Sequence, residues 1–368
     1  MPADPTDGVS APAPSALSSV FYVYDVEREG ERVVYYGDPL VDRHALLRTA
    51  LPLFDARGYD LSVESRPGET VLVAEPDADE PSGFPWTNAV LAALTVLTTL
   101  YAGTQWYHVE TLLSLDLLRA LPFVAAVMGV LGVHELGHYA MSRYHDVDAS
   151  LPYFIPLPFS PIGTLGAVIR MNGVMPDREA LFDIGIAGPV AGLVATIVVT
   201  AIGLLLPPIP APPIPEGAVS IGFGNPPLLR LLAWLLGQPL EYGAGLAINP
   251  VVFGGWVGMF VTFLNLLPVG QLDGGHVMRA VFGPAYERVA PLVPAALFAL
   301  AAYVYFALDA PNAATVWVMW GFITSVFVVL GTVTPLSDEP IDTKRVALAA
   351  VTLVLGLLCF MPVPIYIV

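Results

Sequence analysis

The stretch Val133-His134-Glu135-Leu136-Gly137-His138-Tyr139 has the residue types and spacing to do chemistry. On an α-helix, residues i and i+4 share a face, so His134 and His138 can hold one metal ion between them. Glu135 projects beside that face, where a carboxylate can take a proton from water activated by an ion such as zinc. The residues before the motif are apolar from Leu121 to Val133, which is not the setting of a soluble hydrolase. Ionisable groups inside a membrane span are costly, and their presence marks a functional site. Two histidines leave zinc short of ligands, because a catalytic ion normally takes three from the protein plus a water. The conspicuous third is Asp273, at the end of Asn265-Leu266-Leu267-Pro268-Val269-Gly270-Gln271-Leu272-Asp273-Gly274-Gly275-His276. Pro268 and its neighbouring glycines break a helix there, and the freed backbone groups must line a cavity or pack in protein. Asp273 also suits the cap of a short helix beginning at Gly274, a role compatible with metal binding.

These residues sit in a chain of 368 residues that is 55 % hydrophobic and only 13 % charged, with a mean hydropathy of +0.68. Soluble domains carry about 25 % charged residues, so the chain reads as a polytopic α-helical protein embedded in a lipid bilayer. Its net charge is −17, and residues 1–85 hold 16 Asp and Glu against 6 Arg. Such an acidic balance argues against a nucleic-acid partner. Lysine is represented by Lys344 alone. Scarce lysine and an acidic soluble part point to the cell membrane of a halophilic prokaryote, where acidic surfaces keep proteins soluble. Cys359 is the single cysteine, which excludes an internal disulfide, and no disulfide-linked partner is expected. Residues 1–19 lack a basic region followed by an apolar core, so no leader peptide is expected.

The elements that must position the candidate residues follow from the pattern. Residues 1–18 read as a disordered tail. Residues 19–75 read as a small ββαββ domain, with strands over 21–26, 32–36, 59–65 and 69–74 and a helix over 43–57 that Asp42 caps, Pro52 interrupts and Gly58 ends. Its His44 is expected at the surface. Residues 76–85 form a linker, 86–280 a catalytic core, and 281–368 a set of C-terminal membrane helices. Seven spans are expected, at 86–104, 119–142, 180–206, 246–267, 289–308, 315–333 and 346–366, each near the ~20 residues that cross a bilayer. The stretch 227–240 is too short and carries Arg230, so it reads as interfacial or re-entrant. Loops with Arg143, Arg170 and Arg178, with Arg279 and Arg288, and with Lys344 and Arg345 alternate with acidic or neutral ones. That alternation places the N-terminal domain in the cytoplasm and the histidine pair nearer the cytoplasmic face. Residues 151–175 are apolar yet rich in proline. Gly163–Arg170 could be a strand whose exposed edge takes up an unwound peptide, with Gly163 and Gly166 allowing close approach, or an interfacial loop that only packs.

The pairing of His134-Glu135-Leu136-Gly137-His138 with Asn265-Leu266-Leu267-Pro268 and Leu272-Asp273-Gly274 resembles the site-2 protease family of intramembrane zinc metalloproteases. The resemblance covers about residues 86–280 and is closest to the branch with chloroplast and cyanobacterial members. It implies that His134, His138 and Asp273 hold one zinc ion, that Glu135 is the general base, and that Asn265 hydrogen-bonds substrate near the scissile bond. The implied substrates are transmembrane proteins. The asparagine that many relatives carry near Gly188-Pro189 is absent, so Gly188 and Gly192 are expected only to let helices approach closely. His145 lies two turns beyond His138 and is not expected to be a ligand, whereas His276 is a candidate to support Asp273. Trp317, Trp320 and Tyr366 are expected at interfacial or lipid-facing positions. Two other readings remain at this point: a membrane zinc transporter, which needs ligands along a path, and a catalytically inactive binding module, which typically loses the Glu or a His.

Overall fold

The computed structural model describes residues 11–66, 69–76, 84–111, 114–172, 175–211, 221–243 and 245–367. The chain divides into two compact units, Met1–Phe84 and Pro85–Val368.

In the first unit a helical turn, α1 (Pro14–Leu17), precedes strands β1 (Phe21–Glu29) and β2 (Arg32–Pro39), helix α2 (Arg43–Asp55), and strands β3 (Tyr59–Arg66) and β4 (Glu69–Pro76). The strands form one antiparallel sheet in the order β1-β2-β4-β3. Period-two alternation sorts its residues. Val33, Tyr35, Leu61, Leu72 and Ala74 pack with Leu46, Ala50 and Phe54 of α2, while Val34, Val71 and Val73 cluster separately. Asp42 caps α2 by accepting from the Ala45 N–H at 2.9 Å. The helix passes through Pro52 rather than stopping there, since a proline so near the end forfeits only one backbone bond. Gly58 follows with φ +68°, the left-handed backbone that glycine adopts without strain.

The expected tail is shorter than 18 residues. Leu17 is fully buried in this core, and the Tyr35 hydroxyl donates to the Pro12 carbonyl at 2.7 Å. Apolar residues separated by prolines were enough to dock the segment from residue 11 onward. Residues 1–10, Pro67 and Gly68 of the expected turn, linker residues 77–83 and the His44 side chain lie outside the described residues. Leu17→Ala is expected to destabilise this unit by about 2–5 kcal/mol. Amide exchange of β1–β4 in the full chain checks it, and unchanged exchange would show the segment to be a tail after all.

In the second unit four expected spans are helices long and apolar enough to cross a membrane. They are α3 (Trp86–Trp106), α4 (Leu121–Tyr144, entered from a 3-10 turn at Leu115–Ala120), α5 (Arg178–Leu205) and α10 (Pro311–Leu330). The other three expected spans differ. Helices α7 (Val251–Asn265), α9 (Leu292–Phe306) and α11 (Thr343–Leu357) have 15 residues each. At 1.5 Å per residue each is ~22 Å long, short of a hydrocarbon core of ~30 Å. Prolines explain the shortening: Pro250 and Pro268 bracket α7, Pro291 precedes α9, and Pro362 and Pro364 follow α11. Helix α8 (Asp273–Phe282), with the 3-10 turn Gly283–Arg288, meets α9 at 83°. The stretch expected to be interfacial or re-entrant contains α6 (Pro227–Leu236), which buries Leu228, Leu229 and Ala233 and exposes Trp234 and Leu235.

Short strands close the loops. Between α4 and α5, β5 (Asp148–Ala149) pairs with β8 (Met171–Asn172), and β6 (Tyr153–Pro156) with β7 (Thr164–Val168). Farther on, β9 (Ile209–Pro210) pairs with β11 (Leu246–Ala247), and β10 (Ile221–Phe223) with β12 (Ile365–Ile367). Helix α3 grips the β6–β7 hairpin at three heights. Asn88 Nδ2 donates to the Leu151 carbonyl (2.8 Å), Thr98 Oγ1 to the Gly163 carbonyl (2.6 Å), and Trp106 Nε1 to the Pro161 carbonyl (2.7 Å). Trp317 is not at an interface. It is fully buried, with Nε1 donating to the Pro362 carbonyl at 2.7 Å, because the chain after α11 folds back onto α10.

Candidate metal centre

Helix α4 carries His134, Glu135 and His138 on its buried side, while Val133 and Leu136 are exposed on the opposite one. The first residue of α8 is Asp273. Its cap position is Leu272, whose side chain cannot cap. The Asp273 carboxylate is therefore directed at the histidines: Oδ2 lies 3.1 Å from His134 Nε2, and Oδ1 lies 3.1 Å from His138 Nε2. The two Nε2 atoms are 3.2 Å apart.

His138 Nδ1 lies 2.8 Å from the Ile184 carbonyl of α5, an acceptor that must receive an N–H. That bond leaves a lone pair on Nε2, facing His134 Nε2 and the carboxylate. Two buried imidazoles and a partly buried carboxylate converging on one point repel unless a cation lies among them. Ligand bonds of ~2.0 Å in a tetrahedron place donor atoms ~3.3 Å apart, close to the spacing here. Among the described residues, His134, His138 and Asp273 form the one group of three or more such side chains whose donor atoms lie within 4.8 Å of one another. The residues fit one zinc ion.

Helix α5 forms the floor. It runs antiparallel to α4, with Gly192 under His134 and Gly188 under His138. A methyl at Gly192 would stand 2.7 Å from His134 Nδ1, and one at Gly188 would collide with His138 Nε2. The expected close approach is present, and what approaches is the pair of rings. Gly137 of α4 meets the Ala187 carbonyl in the same way.

The remaining candidates separate. Asn265, the last residue of α7, brings its Nδ2 to 3.1 Å from His134 Nε2. Glu135 is 7 % exposed, beside the two histidines on the buried side of α4. Gly166 has open space where a side chain would be. Gly163 does not face the centre. Its Cα abuts the backbone of Thr98 and Thr99 and its carbonyl is taken by Thr98, so its positive φ and small size serve α3 packing. His145 pairs with Asp183 at 3.0 Å, away from the ligands. His276 is buried, with Nδ1 3.2 Å from Thr332 Oγ1. Reasoning from residue types missed the Ile184 carbonyl, a backbone group with no signal of its own. It also missed the meaning of Gly188 and Gly192, whose i, i+4 spacing mirrors that of the histidines.

Among known proteins, the family profile described as Peptidase family M50 matches residues 122–308. "Probable zinc metalloprotease EGY2, chloroplastic" of Arabidopsis thaliana is 30 % identical over 76 % of this chain and 49 % of its own length. "Probable zinc metalloprotease EGY1, chloroplastic" of the same plant is 34 % identical over 66 % of this chain and 43 % of its own. The chain thus spans about half the length of these curated relatives. No solved structure matches it. The profile covers both halves of the centre, the His134–His138 pair and Asp273, and the chain belongs to Peptidase family M50, the site-2 protease family of zinc metalloproteases.

Proposed function

We propose that the chain is an intramembrane endopeptidase that hydrolyses peptide bonds in or near the transmembrane segments of membrane-anchored proteins. The convergence of His134, His138 and Asp273 beside Glu135, on helices apolar enough for a bilayer, carries this reading. Such convergence also favours a hydrolase over a zinc conduit, whose ligands would be strung along a path. All four positions are intact, unlike those typical of an inactive binding module.

His134, His138 and Asp273 hold the ion, and bound zinc supplies a Lewis acid that lowers the pKa of water and polarises a carbonyl. The Glu135 carboxylate accepts a proton from the attacking water and delivers it to the leaving amine nitrogen. Asn265 holds the peptide beside His134. A substrate helix shields its carbonyls in its own hydrogen bonds, so it must unwind before water can attack. Among the described residues β7 has one strand neighbour, β6, which leaves an edge for an extended peptide to add to, with Gly166 allowing close approach.

The arginine alternation supports seven spans, three of them short, with the N-terminal unit in the cytoplasm. The acidic composition supports a prokaryote living in high salt, whereas the plant relatives are named as chloroplastic. Comparing native membranes that carry the chain with those carrying His134→Ala tests the activity. A single-span protein should accumulate with the variant, and the new termini of its fragments in the parent should map inside the span. Identical membrane proteomes, or termini confined to soluble segments, would overturn the reading.

A further inference from the structure

Between α10 and α11 runs a non-helical segment, residues 331–342, which with the first turn of α11 as far as Arg345 lies beyond the stretch that matches the family. It bonds directly to α5, which orients His138, and to α8, which carries Asp273, and it reaches the end of α4 through Asp183 and His145. At its start, Thr332 Oγ1 lies 3.2 Å from His276 Nδ1. His276 stands one turn after Asp273 on α8. Thr332 thereby steadies the helix that presents the carboxylate. In its middle, Asp338 receives Arg279 of α8 at 3.1 Å, and its carbonyl receives Arg178 of α5, also at 3.1 Å. Arg178 in turn donates to the last carbonyls of α8, at Ala280 (2.7 Å) and Val281 (2.9 Å). Arg178 and Arg279 are both buried, whereas the Asp338 side chain that meets Arg279 is 45 % exposed.

At its end, Arg345 forms a fork on Asp183 of α5, with Nε to Oδ1 and Nη2 to Oδ2 both at 2.8 Å. Asp183 also holds His145, the residue that ends α4. Asp183 directly precedes Ile184, whose carbonyl orients His138. One end of the segment therefore holds the histidine half of the centre and the other end holds the carboxylate half.

We propose that residues 331–345 are a strap that sets the separation of the two halves of the metal centre, with Thr332 and Arg345 as positioning residues. The inference rests on His134, His138 and Asp273 being the ligands. The test measures zinc affinity of the full chain in detergent by chelator competition, together with the melting temperature of the metal-free protein. Thr332→Val and Arg345→Ala should each weaken zinc binding about tenfold, the low end for partners that orient metal ligands. Thr332→Ser, which keeps the hydroxyl, should bind as the parent does, and the metal-free melting temperatures should stay close together. Affinity within twofold of the parent in both variants, while His134→Ala loses zinc, would remove the strap and leave the ligand assignment standing. A lower metal-free melting temperature with normal zinc affinity of the folded protein would likewise reduce it to a structural tie. Zinc retained by His134→Ala would remove the ligand assignment and the strap with it.

Discussion

Replacing Glu135 with glutamine is expected to slow cleavage of a membrane-anchored substrate by about 10²- to 10⁴-fold, the range a general base supplies, while zinc stays bound. Glutamine has the shape of glutamate, so the local fold survives. What it loses is the capacity to accept a proton. The ligands are untouched, because Glu135 lies outside the group formed by His134, His138 and Asp273. Metal analysis of the purified variant and product formation in proteoliposomes, measured together, separate the two effects. Turnover within tenfold of the parent at full zinc content would remove Glu135 from the chemistry.

A comparable loss is expected from a single methyl group that touches no catalytic function directly. Gly188→Ala places its Cβ where the His138 Nε2 stands, and the obstacle is a ring wedged between two helices. The ring can escape only by rotating away from Asp273 and giving up the Ile184 carbonyl. Both outcomes dismantle the site, so zinc affinity should fall more than about 100-fold, beyond what losing one orienting partner costs. The control is Gly129→Ala on α4, where the added methyl meets nothing within 4 Å, and zinc binding should be unchanged. Normal zinc content in Gly188→Ala would mean that α5 can retreat from α4.

Much of this arrangement was legible in the residues, and the parts that were not share a cause. The i, i+4 histidines announce a metal because chemistry constrains residue type and helix geometry constrains spacing. Asp273 was legible because a carboxylate ending an apolar run has few other reasons to be there. The four strands and α2 followed from alternation and from Asp42 and Gly58 at the helix ends. Span lengths were harder. Hydropathy sums apolar residues whether or not they are helical, so 246–267 and 346–366 looked like full spans although prolines cut the helices to 15 residues. Gly163 misled because a glycine with positive φ can serve a ligand or a neighbouring helix, and only the position of Thr98 decides between them. Trp317 misled because interfacial and fully buried indoles differ only in whether an acceptor such as the Pro362 carbonyl happens to reach them. Backbone carbonyls such as that of Ile184 belong to every residue, so no pattern of side chains can single them out.

The 15-residue length of α9 and α11 also has a meaning for the lipid. Both helices expose apolar side chains, among them Tyr303 and Phe306 on α9 and Val351 and Val354 on α11. If both helices face lipid, as the proposed function requires, belts only ~22 Å tall would pull the two leaflets together beside them, since exposing acyl chains to water costs more than compressing them. A substrate helix of ordinary length arriving there would be too long for its surroundings. Its ends would be pushed into headgroups and water, where peptide groups can trade their internal bonds for solvent. Under the proposed function, that mismatch would begin to loosen the substrate before any contact with the β7 edge.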